Sequence, residues 1–162
     1  MSVKDRLFAM VVSSGGLGYA PVASGTFGTL GGVAVVLAVR PLLGDFHFGM
    51  AMIVLSLIGL AVGVALGDWA ERHYRKKDPG HFVLDELVGY WITLFRWDDG
   101  MPGTTELVVA FFVFRFFDVL KPPPGRRIEH WPKGWGIMLD DVVAGVYSMA
   151  VMWGLRYLLE WP

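Results

Sequence analysis

Residues 48–67 read FGMAMIVLSLIGLAVGVALG, twenty positions without a charge. As an α-helix such a run is about 30 Å long, the thickness of a bilayer's hydrocarbon core. A chain holding it either crosses a membrane or buries the run at the centre of a soluble bundle, and the length meets the test for a span. Composition points the same way: of 162 residues 54% are hydrophobic and 18% charged, well to the apolar side of a soluble average. At this length one domain is expected.

Four further apolar segments, 27–39, 82–95, 107–117 and 138–157, accompany the long one, each shorter or interrupted by polar residues. Their flanks alternate in charge. Lys4 and Arg6 come first, then Asp45, then Arg72, Arg75, Lys76 and Lys77. Asp98, Asp99 and Glu106 follow with Arg96, then Lys121, Arg126, Arg127 and Lys133, and last Glu160. Basic loops kept to one side are what the positive-inside rule expects of a multi-pass chain with its N-terminus in the cytoplasm. The expected fold is therefore an all-α, single-domain helical bundle, membrane-embedded or membrane-associated, with about five hydrophobic helices, some of them lying at the interface rather than crossing. Gly59, Gly63 and Gly67 form a smooth strip suited to close helix packing, inside the chain or in a homodimer. The apolar core LFAMVV near the N-terminus is too short for a cleaved signal peptide.

A net charge of −1 supplies no basic field for nucleic acid, and the absence of cysteine excludes thiolate chemistry and Cys-based metal centres. What remains is a set of polar groups inside the apolar background. SGTFGTL (24–30) sets Ser24 and Thr26 before an apolar segment, as a helix cap or as a backbone and hydroxyl cradle for phosphate. HFVLDELVG carries Asp85 and Glu86, and GIMLDDVVAG carries Asp140 and Asp141. Each acidic pair alone reads either as charge placed against a helix dipole or as oxygen ligands for a metal. In FRFFDVLKPPP, Arg115, Asp118 and Lys121 recur every third position, so Asp118 can meet either base on one helix face before the prolines stop it.

With five helices, all four groups fall at the cytoplasmic ends of their segments. Carboxylates gathered there repel one another unless a cation neutralises them, and a hard divalent ion, Mg²⁺, suits oxygen ligands. Arg115 and Lys121 add charge that can hold a phosphate beside it. The implied ligand is a phosphorylated amphiphile.

Four stretches, GLGYAPVASGTFGTL (16–30), DPGHFVLDELVG (78–89), FRFFDVLKPPP (114–124) and GWGIMLDDVVAG (134–145), resemble the phosphatidylglycerophosphatase A family. The resemblance implies an all-helical, Mg²⁺-dependent lipid phosphatase that converts phosphatidylglycerophosphate to phosphatidylglycerol at the bacterial inner membrane. It implies Asp85, Glu86, Arg115, Asp118, Lys121, Asp140 and Asp141 as site residues. From the chemistry of these groups, Asp85, Glu86, Asp140 and Asp141 are expected to hold the metal, and Arg115, Lys121, Ser24 and Thr26 the substrate phosphate. Asp118 and Asp141 are the expected catalytic carboxylates, with Asp118 orienting Arg115, accepting a proton or attacking directly. No Asp-x-Asp-x-Thr/Val signature is present, which favours water as nucleophile. His81 lies four residues before Asp85 and reads as a solvated loop residue. The rival from another class is a membrane transport or channel subunit that uses the carboxylates to bind ions; it calls for ionisable groups at mid-span, and 48–67 has none.

Overall fold

The computed structural model describes residues 2–43, 45–96 and 100–159, with backbone alone at 45–47; Asp98, Asp99 and Glu160 lie outside the described residues. Among those residues seven α-helices follow one another: α1 (Val3–Val12), α2 (Ser24–Val39), α3 (Asp45–Tyr74), α4 (Leu84–Thr93), α5 (Thr104–Leu120), α6 (Gly125–Ile128) and α7 (Gly134–Leu159). The five apolar segments of the sequence become α2, α3, α4, α5 and α7. Their lengths divide them. Helix α2 extended by the 3-10 turn Arg40–Leu42 (Ser24–Leu42), Phe48–Tyr74 and Gly134–Leu159 are long and apolar enough to cross a membrane. The 10 residues of α4 and 17 of α5 fall short of the roughly 20 that a span requires.

Segment 82–95 is thus a core helix rather than a crossing. Leu84, Asp85, Leu87, Val88, Gly89, Tyr90, Trp91 and Thr93 are all buried, which is the pattern of a helix enclosed on every side. Small residues let its neighbours close in. A methyl group on Gly59 would lie 2.6 Å from Val88, and one on Gly145 would lie 2.6 Å from the Gly89 carbonyl oxygen. Gly63 packs on Met138 and Gly67 on the Gly134 backbone. The glycine strip on α3 is therefore filled by α4 and α7 of the same chain, which leaves it unavailable as a dimer face.

Helix α3 runs from an end where Gly49 lies beside the Arg96 carbonyl to an end where Gly67 meets Gly134. At the second end α2, α4 and α7 begin and α5 finishes. The outer faces of α2, α3 and α5 leave Leu30, Leu37, Leu57, Ile58, Phe112 and Phe116 exposed. That apolar belt marks a membrane-associated chain. Helix α1 packs against the far part of α3: Phe8 meets Trp69 edge-on at 5.4 Å, and the Trp69 indole donates to Asp5 at 3.2 Å. Its Val3, Leu7 and Met10 stay exposed at one-turn spacing beside Lys4 and Arg6, a face suited to the interface.

The first end is pinned by a buried ion cluster that the sequence, read as loop charge, does not suggest. Glu106 is 1% exposed and pairs with Arg96 at 3.3 Å and with Arg156, joining the chain after α4 to α5 and α7. Removing one partner from such a cluster costs about 3–5 kcal/mol. Glu106→Ala is expected to lower the midpoint of thermal unfolding in detergent by about 10 °C. A midpoint within a degree or two of wild type would show that the cluster does not hold this end together.

Candidate active site

The fold brings the acidic motifs together at the end where α2, α4 and α7 start. Asp85 and Glu86 stand in the first turn of α4, where the helix dipole favours negative charge, and the Glu86 N–H donates to Asp85 Oδ1 at 3.1 Å. Asp140 and Asp141 are different. They follow Gly134 by six and seven residues, about 10 Å along α7, so they cap nothing.

Asp85, Glu86 and Asp141 can each place one oxygen within 4.8 Å of the others. Opposite ligands of an octahedral Mg²⁺ lie about 4 Å apart, so small side-chain adjustments would suffice for one ion to gather all three. Glu86 Oε2 is a buried oxygen with no hydrogen-bond partner, which fits a cation ligand. The Asp118 carboxyl lies close enough to Asp141 for their charges to interact. Crowding shows in the titration of the α4 pair. Burial, and then the charge of Glu86, push Asp85 well above the usual carboxylate range. Burial also lifts Glu86 to about 7, against the lowering effects of its hydrogen bond with Asp85 and of the Arg115 charge. A bound cation would offset both penalties.

Arg115, one turn before the end of α5, pairs with Asp118. Its guanidinium also meets the start of α2: a methyl group built on Gly25 would collide with Glu86 Oε1 and lie 2.9 Å from Arg115 Nη1. Gly25 therefore closes a small cradle with Glu86 and Arg115. Of the two readings of Ser24 and Thr26, helix cap or phosphate cradle, the cap is not formed. The cap residue of α2 is Ala23, in a left-handed conformation with φ 51°, and no side chain bonds to the exposed N–H groups of the first turn. Thr26 gives its own N–H to the Ala23 carbonyl at 2.8 Å, and Thr29 Oγ1 bonds the Gly25 carbonyl at 2.9 Å. The N–H groups of Ser24 and Gly25 are left for an external acceptor.

Two expected site residues are placed apart from this cluster. Lys121 Nζ lies 2.6 Å from Asp140 and 2.8 Å from Glu129. Asp140 thus faces a lysine rather than the three gathered carboxylates, and Lys121 has its charge matched by protein. Its φ of 48° ends the helix and turns it away from the Arg115 face. Glu129, unmarked in the sequence motifs, completes this bridge, and its acid charge inside an otherwise basic loop is the one clue the sequence carried. Gly25 was likewise hidden, because only its neighbours reveal what its missing side chain makes room for.

The chain matches the family model of phosphatidylglycerophosphatase A over residues 10–156. A Haemophilus influenzae protein named phosphatidylglycerophosphatase A is 33% identical over 145 residues, spanning 88% of this chain and 84% of its own. An Escherichia coli protein of the same name is 31% identical over 150 residues, spanning 91% and 81%. A Bacteroides thetaiotaomicron protein, described as a candidate phosphatidylinositol-3-phosphatase, is 33% identical over 147 residues, spanning 89% and 90%. No solved structure gives a significant match. With these relatives, the apolar helical frame and the carboxylate and guanidinium site at its end belong to a membrane-associated phosphoric monoester hydrolase. The chain belongs to the phosphatidylglycerophosphatase A family.

Proposed function

We propose that the chain hydrolyses the terminal phosphomonoester of phosphatidylglycerophosphate, with Mg²⁺, to phosphatidylglycerol and inorganic phosphate. The observation that carries the reading is the trio of buried Asp85 and Asp141 with half-buried Glu86, beside Arg115 and the uncapped start of α2. These are oxygen ligands for a hard cation next to donors for a phosphate. Asp85, Glu86 and Asp141 would hold the ion, which when bound supplies positive charge to the phosphate and to the attacking water. Arg115 would bind the equatorial phosphate oxygens together with the N–H groups of Ser24 and Gly25. Asp118 would fix Arg115 in place and accept the proton of the water as it attacks phosphorus in line with the departing glycerol oxygen. One water is added across the P–O bond, and the lipid alkoxide leaves with a proton.

Lys121 and Asp140 serve this site from behind, tying the end of α5 to α7 so that Arg115 and Asp141 keep their spacing. The transport reading is not favoured, because the carboxylates gather at one end of the bundle and α3 stays uncharged through 48–67. Basic residues crowd the same end, with Arg75, Lys76 and Lys77 after α3 and Arg126, Arg127 and Lys133 before α7. That bias supports a bacterial inner membrane setting with the site facing the cytoplasm. The family match over most of the chain supports a single domain.

The test is phosphate release from phosphatidylglycerophosphate by the purified protein in detergent micelles. Activity is expected with Mg²⁺, to fall at least about a hundredfold in EDTA, and to return when Mg²⁺ is restored in excess. Equal release in EDTA would remove the metal from the reading, and no release under any condition would remove the phosphatase itself.

A further inference from the structure

Beside the carboxylate site lies a second recess of about 310 Å³, lined by Gly18, Ser24, Tyr74, Lys76, Pro79 and His81 among others. Unlike the almost wholly apolar crevices between the helices, its walls mix apolar surface with a substantial share of polar groups. Three rings brace it. Tyr74 and His81 stack with centroids 4.8 Å apart, Tyr19 lies 4.9 Å from His81, and the two tyrosine hydroxyls share a hydrogen bond of 2.8 Å. Gly18 presses so closely on the His81 carbonyl that no side chain would fit there, which fixes the 79–81 loop against the 17–19 turn.

Apart from the Ser24 N–H at the wall the two sites share, nothing in the proposed hydrolysis uses this recess. Ser24 lines the recess, while the next residue, Gly25, touches Glu86 and Arg115. Because Ser24 and Gly25 are consecutive, the two sites adjoin across the start of α2. The cations nearby differ in their commitments. Arg72 pairs with Asp68, and Lys77 donates to the His130 carbonyl at 3.2 Å. Among the described residues Lys76 forms no ion pair and stands exposed at the recess.

We propose that this recess receives the second anionic group of the substrate, the phosphodiester linking the head group to diacylglycerol, with Lys76 as its counter-charge and His81 as a further donor. The inference rests on the phosphatase reading and adds its selectivity. The enzyme takes phosphomonoesters carried on a lipid phosphodiester and discriminates against phosphatidate, whose one phosphate is joined directly to diacylglycerol. The head group between the two phosphates matters less than the presence of both.

Steady-state release from phosphatidylglycerophosphate and from phosphatidate, in the same neutral micelles, tests this on the wild type, Lys76→Met, Lys76→Arg and Lys77→Met. The wild type is expected to favour phosphatidylglycerophosphate, and Lys76→Met to lose about tenfold in kcat/KM on that lipid alone, chiefly through KM, with Lys76→Arg restoring most of it. Lys77→Met controls for general attraction of anionic lipid to a basic surface and is expected to stay within about twofold of wild type. Equal treatment of the two lipids by the wild type, an equal loss on both in Lys76→Met, or the same loss in Lys77→Met would each overturn the recess as a phosphodiester site. Those outcomes leave hydrolysis itself standing, whereas a wild type inactive on both lipids overturns the phosphatase reading and this inference with it.

Discussion

Asp141→Asn is expected to cut phosphate release at least about a thousandfold, some 4 kcal/mol of transition-state stabilisation, while leaving the protein helical and soluble in micelles. The more telling result is in its stability. Asp141 sits among Asp85, Glu86 and Asp118, and replacing one carboxylate by an amide of the same shape relieves repulsion in the metal-free protein. In EDTA the variant should therefore unfold at or above the wild-type temperature. Mg²⁺ at about 100 times its dissociation constant should stabilise the wild type by about 2.7 kcal/mol and the variant far less. A damaged fold would lower both curves together, so the opposite signs separate loss of a ligand from loss of structure. Asp140→Asn supplies the contrast: it removes the partner of Lys121 and should lower stability with and without Mg²⁺ while keeping most of the Mg²⁺-induced shift. If Asp141→Asn kept that shift and Asp140→Asn lost it, the two neighbours would have been assigned the wrong way round.

That contrast also shows where the sequence stops speaking. Two carboxylates side by side in GIMLDDVVAG look like one unit, but neighbours on a helix point about 100° apart. Inside α7 only one of them can face the α4 pair, and which one depends on how α7 is rotated against α4. Close approach at Gly89 and Gly145 sets that rotation, a contact far apart in sequence. Asp85 and Glu86 escape the limit because they stand in a first turn, where the longer glutamate reaches back. Lys121 shows the same limit at a helix end. Spacing by three puts it on the Arg115 face only if the helix continues, and its left-handed backbone breaks the face at that residue. The membrane character was plain in 48–67, because twenty uncharged residues have few alternatives. The depth of 82–95 was not, since a short apolar run reads alike whether lipid or protein surrounds it.

Gly25→Ala is expected to lower kcat/KM on phosphatidylglycerophosphate by about a hundredfold, the loss typical of reacting groups displaced by roughly an ångström. The added methyl meets the tips of two flexible side chains, Glu86 and Arg115, rather than backbone. The bundle can absorb it by moving those tips, so unfolding temperature should change little. The site cannot, because the displaced groups are one proposed metal ligand and the proposed phosphate-binding guanidinium. Asp85 and Asp141 keep their places, so the Mg²⁺-induced stabilisation should shrink without vanishing. Gly134→Ala is the comparison, since its methyl would lie 2.5 Å from the Val64 carbonyl oxygen, and there the expected loss is of stability. A Gly25→Ala enzyme within twofold of wild type would mean that the start of α2 does not meet the substrate phosphate. The uncapped N–H groups of Ser24 and Gly25 would then need another partner, and Arg115 would have to hold the phosphate from α5 alone.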